Sequence, residues 1–171
     1  MKPKQYPIED STIKEVNEAI QSYVKSIDQS IPFKIYKTSV SYSDFFENKM
    51  LIVHAIREGL PFGLYSKIKE LTPFTEDDWA EYLNLSKKTL QRHSNEEEFH
   101  FKPIHTEKII ELAEVTNYGN EVFDSTEQFY LWLNTPSLAL GNFKPAELLK
   151  DSYGKDMVMA ELNKIEHGIF A

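Results

Sequence analysis

The chain has 171 residues, 41% of them apolar and 13% aromatic, enough for one domain or two small ones with a packed core. It lacks cysteine, which removes disulfides, thiolate metal sites and cysteine nucleophiles and suits a reducing, cytoplasmic setting. Its net charge of −8 is the reverse of bulk attraction to nucleic acid, so DNA contact would need a local basic surface, presented twice by a dimer.

No run of 18 apolar residues occurs, and the N-terminal Met1-Lys2-Pro3-Lys4 lacks the apolar stretch of a secretion signal, so no membrane partner is expected. Ile13, Val16, Ile20, Val24 and Ile27 then recur every three or four residues and predict an amphipathic helix over 12–29, with Thr12 and Glu15 in capping-box relation. Ile31-Pro32 stops it. Phe33, Ile35, Val40 and Tyr42 alternate weakly with polar residues, which allows one short strand. A second helix is predicted from Ser43 or Asp44 to Glu58, burying Phe45, Phe46, Leu51, Val53 and Ile56, with Gly59 as a left-handed cap. Pro61 suits the first position of a third helix, and Pro73 ends it.

Residues 75–92 have the spacing of a helix-turn-helix. Thr75 and Asp78 mark the first N-terminus, Ala80 is small where a second helix would cross, and Asn84 tolerates the left-handed backbone of a sharp turn. Leu85 and Leu90 would fill the space between the helices, and Ser86 would cap the second one. Its outward residues Lys87, Lys88, Thr89, Gln91 and Arg92 join phosphate-seeking charge to side chains that can read base edges, so they and Ser86 are the candidate DNA-binding residues. Arg92 or Gln91 suits a base contact, and Ser86, Lys87 and Lys88 suit phosphates. Two features oppose this reading: His93 stands where an aliphatic residue usually packs, and Glu96-Glu97-Glu98 comes soon after. The segment 75–123 is also the most acidic of the chain, with 11 acidic and 5 basic side chains.

Further on, Thr106 precedes a helix carrying Ile109, Ile110, Leu112, Ala113 and Val115, with Gly119 as its expected cap. Ser125 and Gln128 form a capping box for a helix with Phe129, Trp132 and Leu133, which Thr135-Pro136 ends. Residues 134–141 then read as a shaped loop, and Lys144-Pro145 opens a short helix. A last helix over 155–167 places Val158, Leu162 and Ile165 on one face and stops at Gly168. Beyond the glycine, Ile169 and Phe170 either fold back over the cap or stay free for a partner, with Ala171 next. Trp132 suits a core anchor, whereas Pro136, Leu138, Leu140 and Gly141 lie where shape often serves recognition.

Histidines 54, 93, 100, 105 and 167 show no paired spacing on a helix face, and no metalloprotease, phosphate-loop or nucleophile-elbow motif occurs, so no catalytic residue, metal or cofactor is expected. From Gly59-Leu60-Pro61 to Ala171, through the Leu140-Gly141, Lys144-Pro145 and Ile165-Glu166-His167-Gly168-Ile169-Phe170 signals, the chain resembles the Xre/MbcA/ParS-like antitoxins. That resemblance implies an all-α fold: a helical region over 1–59 whose role stays open, an Xre-like helix-turn-helix domain over 60–122 and a toxin-binding domain over 123–171. It further implies neutralisation of a RES-domain toxin that consumes NAD, by closing its substrate entrance, together with operator binding and a homodimer that joins the toxin in a hetero-oligomer. The toxin-binding candidates are Pro136, Leu140, Gly141, Lys144, Glu166, His167, Gly168, Ile169, Phe170 and Ala171. A stand-alone helix-turn-helix regulator, or a protein-binding module with a vestigial helix-turn-helix, remain alternatives.

Overall fold

The computed structural model describes residues 10–28, 39–123 and 125–169, and these hold ten α-helices and no strand. They are α1 (Asp10–Ile27), α2 (Tyr42–Glu47), α3 (Lys49–Glu58), α4 (Phe62–Leu71), α5 (Glu76–Tyr82), α6 (Lys87–His93), α7 (Pro103–Val122), α8 (Thr126–Leu133), α9 (Pro145–Leu148) and α10 (Ser152–Glu166). The chain divides within α7 into two compact units, Ile8–Ile110 and one containing Glu111–Ala171.

In the first unit α1 buries the stripe its spacing predicts, Val16, Ile20, Val24 and Ile27, whereas Ile13 stays exposed. It packs on α4, where Lys67 pairs with Glu15. Because α1 begins at Asp10, Thr12 is a helix-interior residue and not the expected cap. The helix predicted over 43–58 is two helices. Ser41 caps α2 in a reciprocal box with Asp44, and Asn48 leaves helical geometry at φ −99°, ψ 87° to cap α3 by accepting from the Leu51 N–H at 3.1 Å. The break resets the phase of α3, so Ile52 and Ala55 turn inward while Val53 is exposed and Ile56 half-buried. Of the short strand allowed by the sequence, Tyr42 opens α2 instead, and Phe33 and Ile35 lie outside the described residues.

Gly59 ends α3 at φ 86°, ψ 148°, an extended conformation at positive φ and not the left-handed helical cap expected. A Cβ there would stand 2.5 Å from Phe101 O. The close approach comes from a backbone clamp, in which the Phe101 N–H donates to Leu60 O at 2.8 Å and the Phe62 N–H to Phe99 O at 3.2 Å. Fully buried Thr106 completes it, accepting from the Leu60 N–H and donating to Phe101 O, both at 3.1 Å. Pro103 opens α7, so Thr106 lies within its first turn, and Pro61 stands at the N-cap of α4 and not at its first helical position. Between the two arms of the clamp lie α4, α5 and α6. Trp79 is fully buried there, edge-on to Tyr65 at 5.2 Å, and its Nε1 donates to Thr72 Oγ1 at 3.3 Å.

In the second unit α7 does not stop at Gly119 but continues to Val122, and the glycine leaves room for the Phe129 ring, which a Cβ would approach to 2.2 Å. Ser125 caps α8 by accepting from the Gln128 N–H at 3.2 Å. Phe129 and Leu133 are buried, and half-buried Trp132 lies beside Phe129 and Phe123. The loop after Pro136 is pinched shut: the Ser137 N–H donates to Phe143 O at 3.0 Å and the Asn142 N–H to Ser137 O at 2.8 Å. Gly141 and Asn142 take φ of 67° and 65° to make the turn. This geometry points Leu140 inward, at 3% exposure, and leaves Leu138 outward at 85%. Pro145 opens α9 as predicted. α10 begins at Ser152, earlier than predicted, because Asp151 accepts from the Gly154 N–H at 2.8 Å and Gly154 packs on Leu148 O, where a Cβ would meet it at 1.9 Å.

Gly59→Ala is expected to lower the unfolding free energy by about 2–3 kcal/mol through strain at positive φ and the clash with Phe101 O. Gly63→Ala, in a helix with open space around it, should stabilise by up to about 1 kcal/mol, both read by urea denaturation. By the same measurement Leu140→Ala should cost about 2–4 kcal/mol, whereas Leu138→Ala should stay within about 0.5 kcal/mol.

Candidate nucleic-acid and partner surfaces

The first surface is built on α5 and α6. Thr75 and Asp78 cap α5 reciprocally, with the Asp78 N–H on Thr75 Oγ1 at 3.2 Å and the Thr75 N–H on Asp78 Oδ2 at 2.7 Å. At its other end Asn84 sits at φ 50°, the Asn84 N–H donates to Glu81 O at 3.0 Å, and the Leu85 N–H donates to Ala80 O at 2.9 Å. This is a Schellman closure, and it reverses the chain within a few residues. Ser86 then starts α6 by accepting from the Thr89 N–H at 3.0 Å. Leu83 and Leu90 are buried between the helices, while Ala80 and Leu85 are half-buried. His105 makes a hydrogen bond to the Leu83 backbone, and burial, with Lys102 nearby, holds its pKa below the ordinary value. A neutral imidazole therefore supports the turn.

Lys87, Lys88, Gln91 and Arg92 are exposed on one short helix, Ser86 is exposed at its cap, and Thr89 is half-buried with its hydroxyl 2.8 Å from Ser86 Oγ. Two of the cations already have acidic partners: Lys87 pairs with Asp77, and Arg92 Nε lies 3.6 Å from Glu96 Oε1. His93 fills the place expected for an aliphatic residue by stacking on Phe99 at 3.7 Å between ring centroids, with Glu96 3.3 Å from its Nδ1. The acidic run thus reaches back onto α6 through Glu96.

The second surface is in the unit containing Glu111–Ala171. α10 closes as a Schellman motif: Gly168 takes φ 66°, its N–H donates to Ile165 O at 3.0 Å, and the Ile169 N–H donates to Lys164 O at 2.8 Å. Ile169 nevertheless remains 60% exposed and does not fold over the cap. Glu166 accepts from the Tyr118 hydroxyl at 2.5 Å, and His167 Nδ1 lies 2.8 Å from Asn163 O, so both polar candidates have partners within the chain. Phe170 and Ala171 lie outside the described residues. Pro136 and Gly141 are exposed, Lys144 is the half-buried N-cap of α9, and Leu140 is an internal anchor of the loop.

Other exposed apolar groups of this unit are not singled out by the sequence. Phe143 stands beside Gly141 and is 55% exposed, and Tyr153 and Met157, four residues apart on α10, are exposed on a different face from buried Val158 and Leu162. Their spacing is a usable signal, because one helix cannot bury both stripes against one neighbour. Among the described residues no group of three or more metal-ligating side chains occurs, and no helix is long and apolar enough to cross a membrane.

Residues 52–114 match the family model of the antitoxin Xre-like helix-turn-helix domain, and residues 119–168 match that of the antitoxin Xre/MbcA/ParS C-terminal toxin-binding domain. Comparison with curated proteins gives no match. Among solved structures, a chain of the M. tuberculosis MbcT-MbcA toxin-antitoxin complex is similar in fold, with a TM-score of 0.51 at 23% identity over 63% of this chain and 94% of that one. With the two antitoxin models in tandem over about two-thirds of its length, the chain belongs to the Xre/MbcA/ParS-like antitoxins.

Proposed function

We propose that this antitoxin neutralises a RES-domain, NAD-consuming toxin by covering its substrate entrance with the end of α10 and the residues beyond it. The observation that carries the reading is Ile169: it comes after a fully formed helix closure, yet its apolar side chain stays in water within one residue of the matched toxin-binding segment. Exposed Leu138 and Phe143 extend the apolar surface available in the same unit, with Pro136 and Gly141 shaping the loop that carries them. An apolar tip of this kind excludes water from a cleft without chemistry of its own, so the antitoxin needs no cofactor. The protein acts in the cytoplasm as a homodimer that joins its toxin. Co-expression with the toxin cloned from the adjoining reading frame tests this: deleting Gly168–Ala171 should weaken toxin capture roughly tenfold or more and abolish growth protection. Full protection by the truncated chain would sink the reading.

The Ser86–Arg92 face is assigned to operator DNA, with Ser86, Lys87 and Lys88 on phosphates and Gln91 or Arg92 on base edges. A second reading, a vestigial helix-turn-helix in a protein-binding module, is favoured by the Lys87–Asp77 and Arg92–Glu96 pairs, which neutralise both ends of α6. Gel retention of the operator region separates the two. Lys88→Ala with Arg92→Ala should reduce retention roughly tenfold and flatten its salt dependence if α6 reads DNA; no change favours the second reading.

A further inference from the structure

We propose that Tyr118 is a positioning residue that sets the direction in which the chain leaves α10, an inference resting on the reading of Ile169 as part of the toxin contact. Apolar anchoring of α10 ends early. Leu162 is its last fully buried residue; Ile165 is half-buried, and Asn163, Lys164, Glu166 and His167 are exposed. A final turn held by so little apolar contact frays unless polar groups tie it down.

Tyr118, half-buried on α7, supplies that tie. Its hydroxyl donates to Glu166 Oε2 at 2.5 Å and accepts from Asn163 Nδ2 at 3.2 Å, so one oxygen holds two residues three apart on the last turn. Lys164 and Ile165 lie between these two, and their carbonyls receive the Ile169 and Gly168 N–H groups. Fixing Asn163 and Glu166 therefore fixes the acceptors that orient the exit. His167 reinforces the turn, with Nδ1 2.8 Å from Asn163 O and 3.8 Å from Glu166 Oε2. Desolvation and the Glu166 bond raise the Tyr118 pKa, so the phenol keeps the proton it donates.

Tyr118→Phe removes only the hydroxyl. In the free protein, amide hydrogen exchange at Gly168 and Ile169 should accelerate roughly threefold to tenfold with the melting curve little changed; unchanged exchange overturns the inference without reference to any toxin. In binding assays with the toxin cloned from the adjoining reading frame, Tyr118→Phe should weaken capture by a similar factor in the native chain and have no further effect in an Ile169→Asp background. An equal loss in both backgrounds, or no loss in the native chain while Ile169→Asp binds poorly, overturns the role of Tyr118 alone. If Ile169→Asp binds as tightly as the native chain, the reading of the tip fails and this inference falls with it.

Discussion

The clamp between Leu60–Phe62 and Phe99–Phe101 is the constraint on which the helix-turn-helix unit depends. Two backbone hydrogen bonds and the Thr106 hydroxyl join segments roughly forty residues apart, and every one of these groups would otherwise be an unpaired polar atom in or near the core. Gly59 is the enabling residue, because any side chain would meet the carbonyl that the clamp brings up to it. With both ends of the segment held, α4, α5 and α6 have little choice but to wrap Tyr65, Trp79 and Leu90 into one core. α6 is therefore presented by long-range backbone pairing as much as by its own turn.

The same local device closes both α5 and α10. Asn84 after α5 and Gly168 after α10 each take positive φ and let backbone N–H groups return to the helix, so that the chain leaves in a fixed direction. The two exits lead to different surroundings. After Asn84 the next residue, Leu85, is half-buried and a new helix starts at Lys87, whereas after Gly168 the apolar Ile169 meets solvent. One closure builds a folded corner; the other leaves an apolar side chain in solvent.

Charge explains how an acidic chain carries a basic helix. Asp77 in the first turn of α5 and Glu96 beyond α6 sit against Lys87 and Arg92, so the basic face is partly neutralised within the chain. Such exposed pairs are individually weak. The arrangement lowers the local positive charge while leaving Lys88 and Gln91 exposed on the same helix.

Much of this protein was legible as local chemistry. The apolar stripe of α1, the Thr75–Asp78 and Ser86 caps, the left-handed turn at Asn84, the stop at Thr135-Pro136, the start at Pro145 and the closure at Gly168 are set by side chains within a few residues of where they act. Contact across the chain was the part that misled. Gly119 looks like a cap but is a notch for Phe129, and Gly59 adopts an extended conformation under Phe101 O. The same holds for the loop before α9: Leu138 and Leu140 are indistinguishable by composition, and only the pinch from Ser137 to Phe143 decides that one packs inward and the other faces water. The split of one predicted helix into two is different in kind, since Asn48 acts locally as the cap of α3. Sequence by itself determined the helix starts, turns and stops that rest on a local cap, such as Ser86, Asn84, Pro145 and Gly168, because caps and positive-φ residues act locally. Tertiary structure alone decided which glycine makes room, which leucine is core and which cation is already paired, because those outcomes depend on atoms that meet only after the chain has folded.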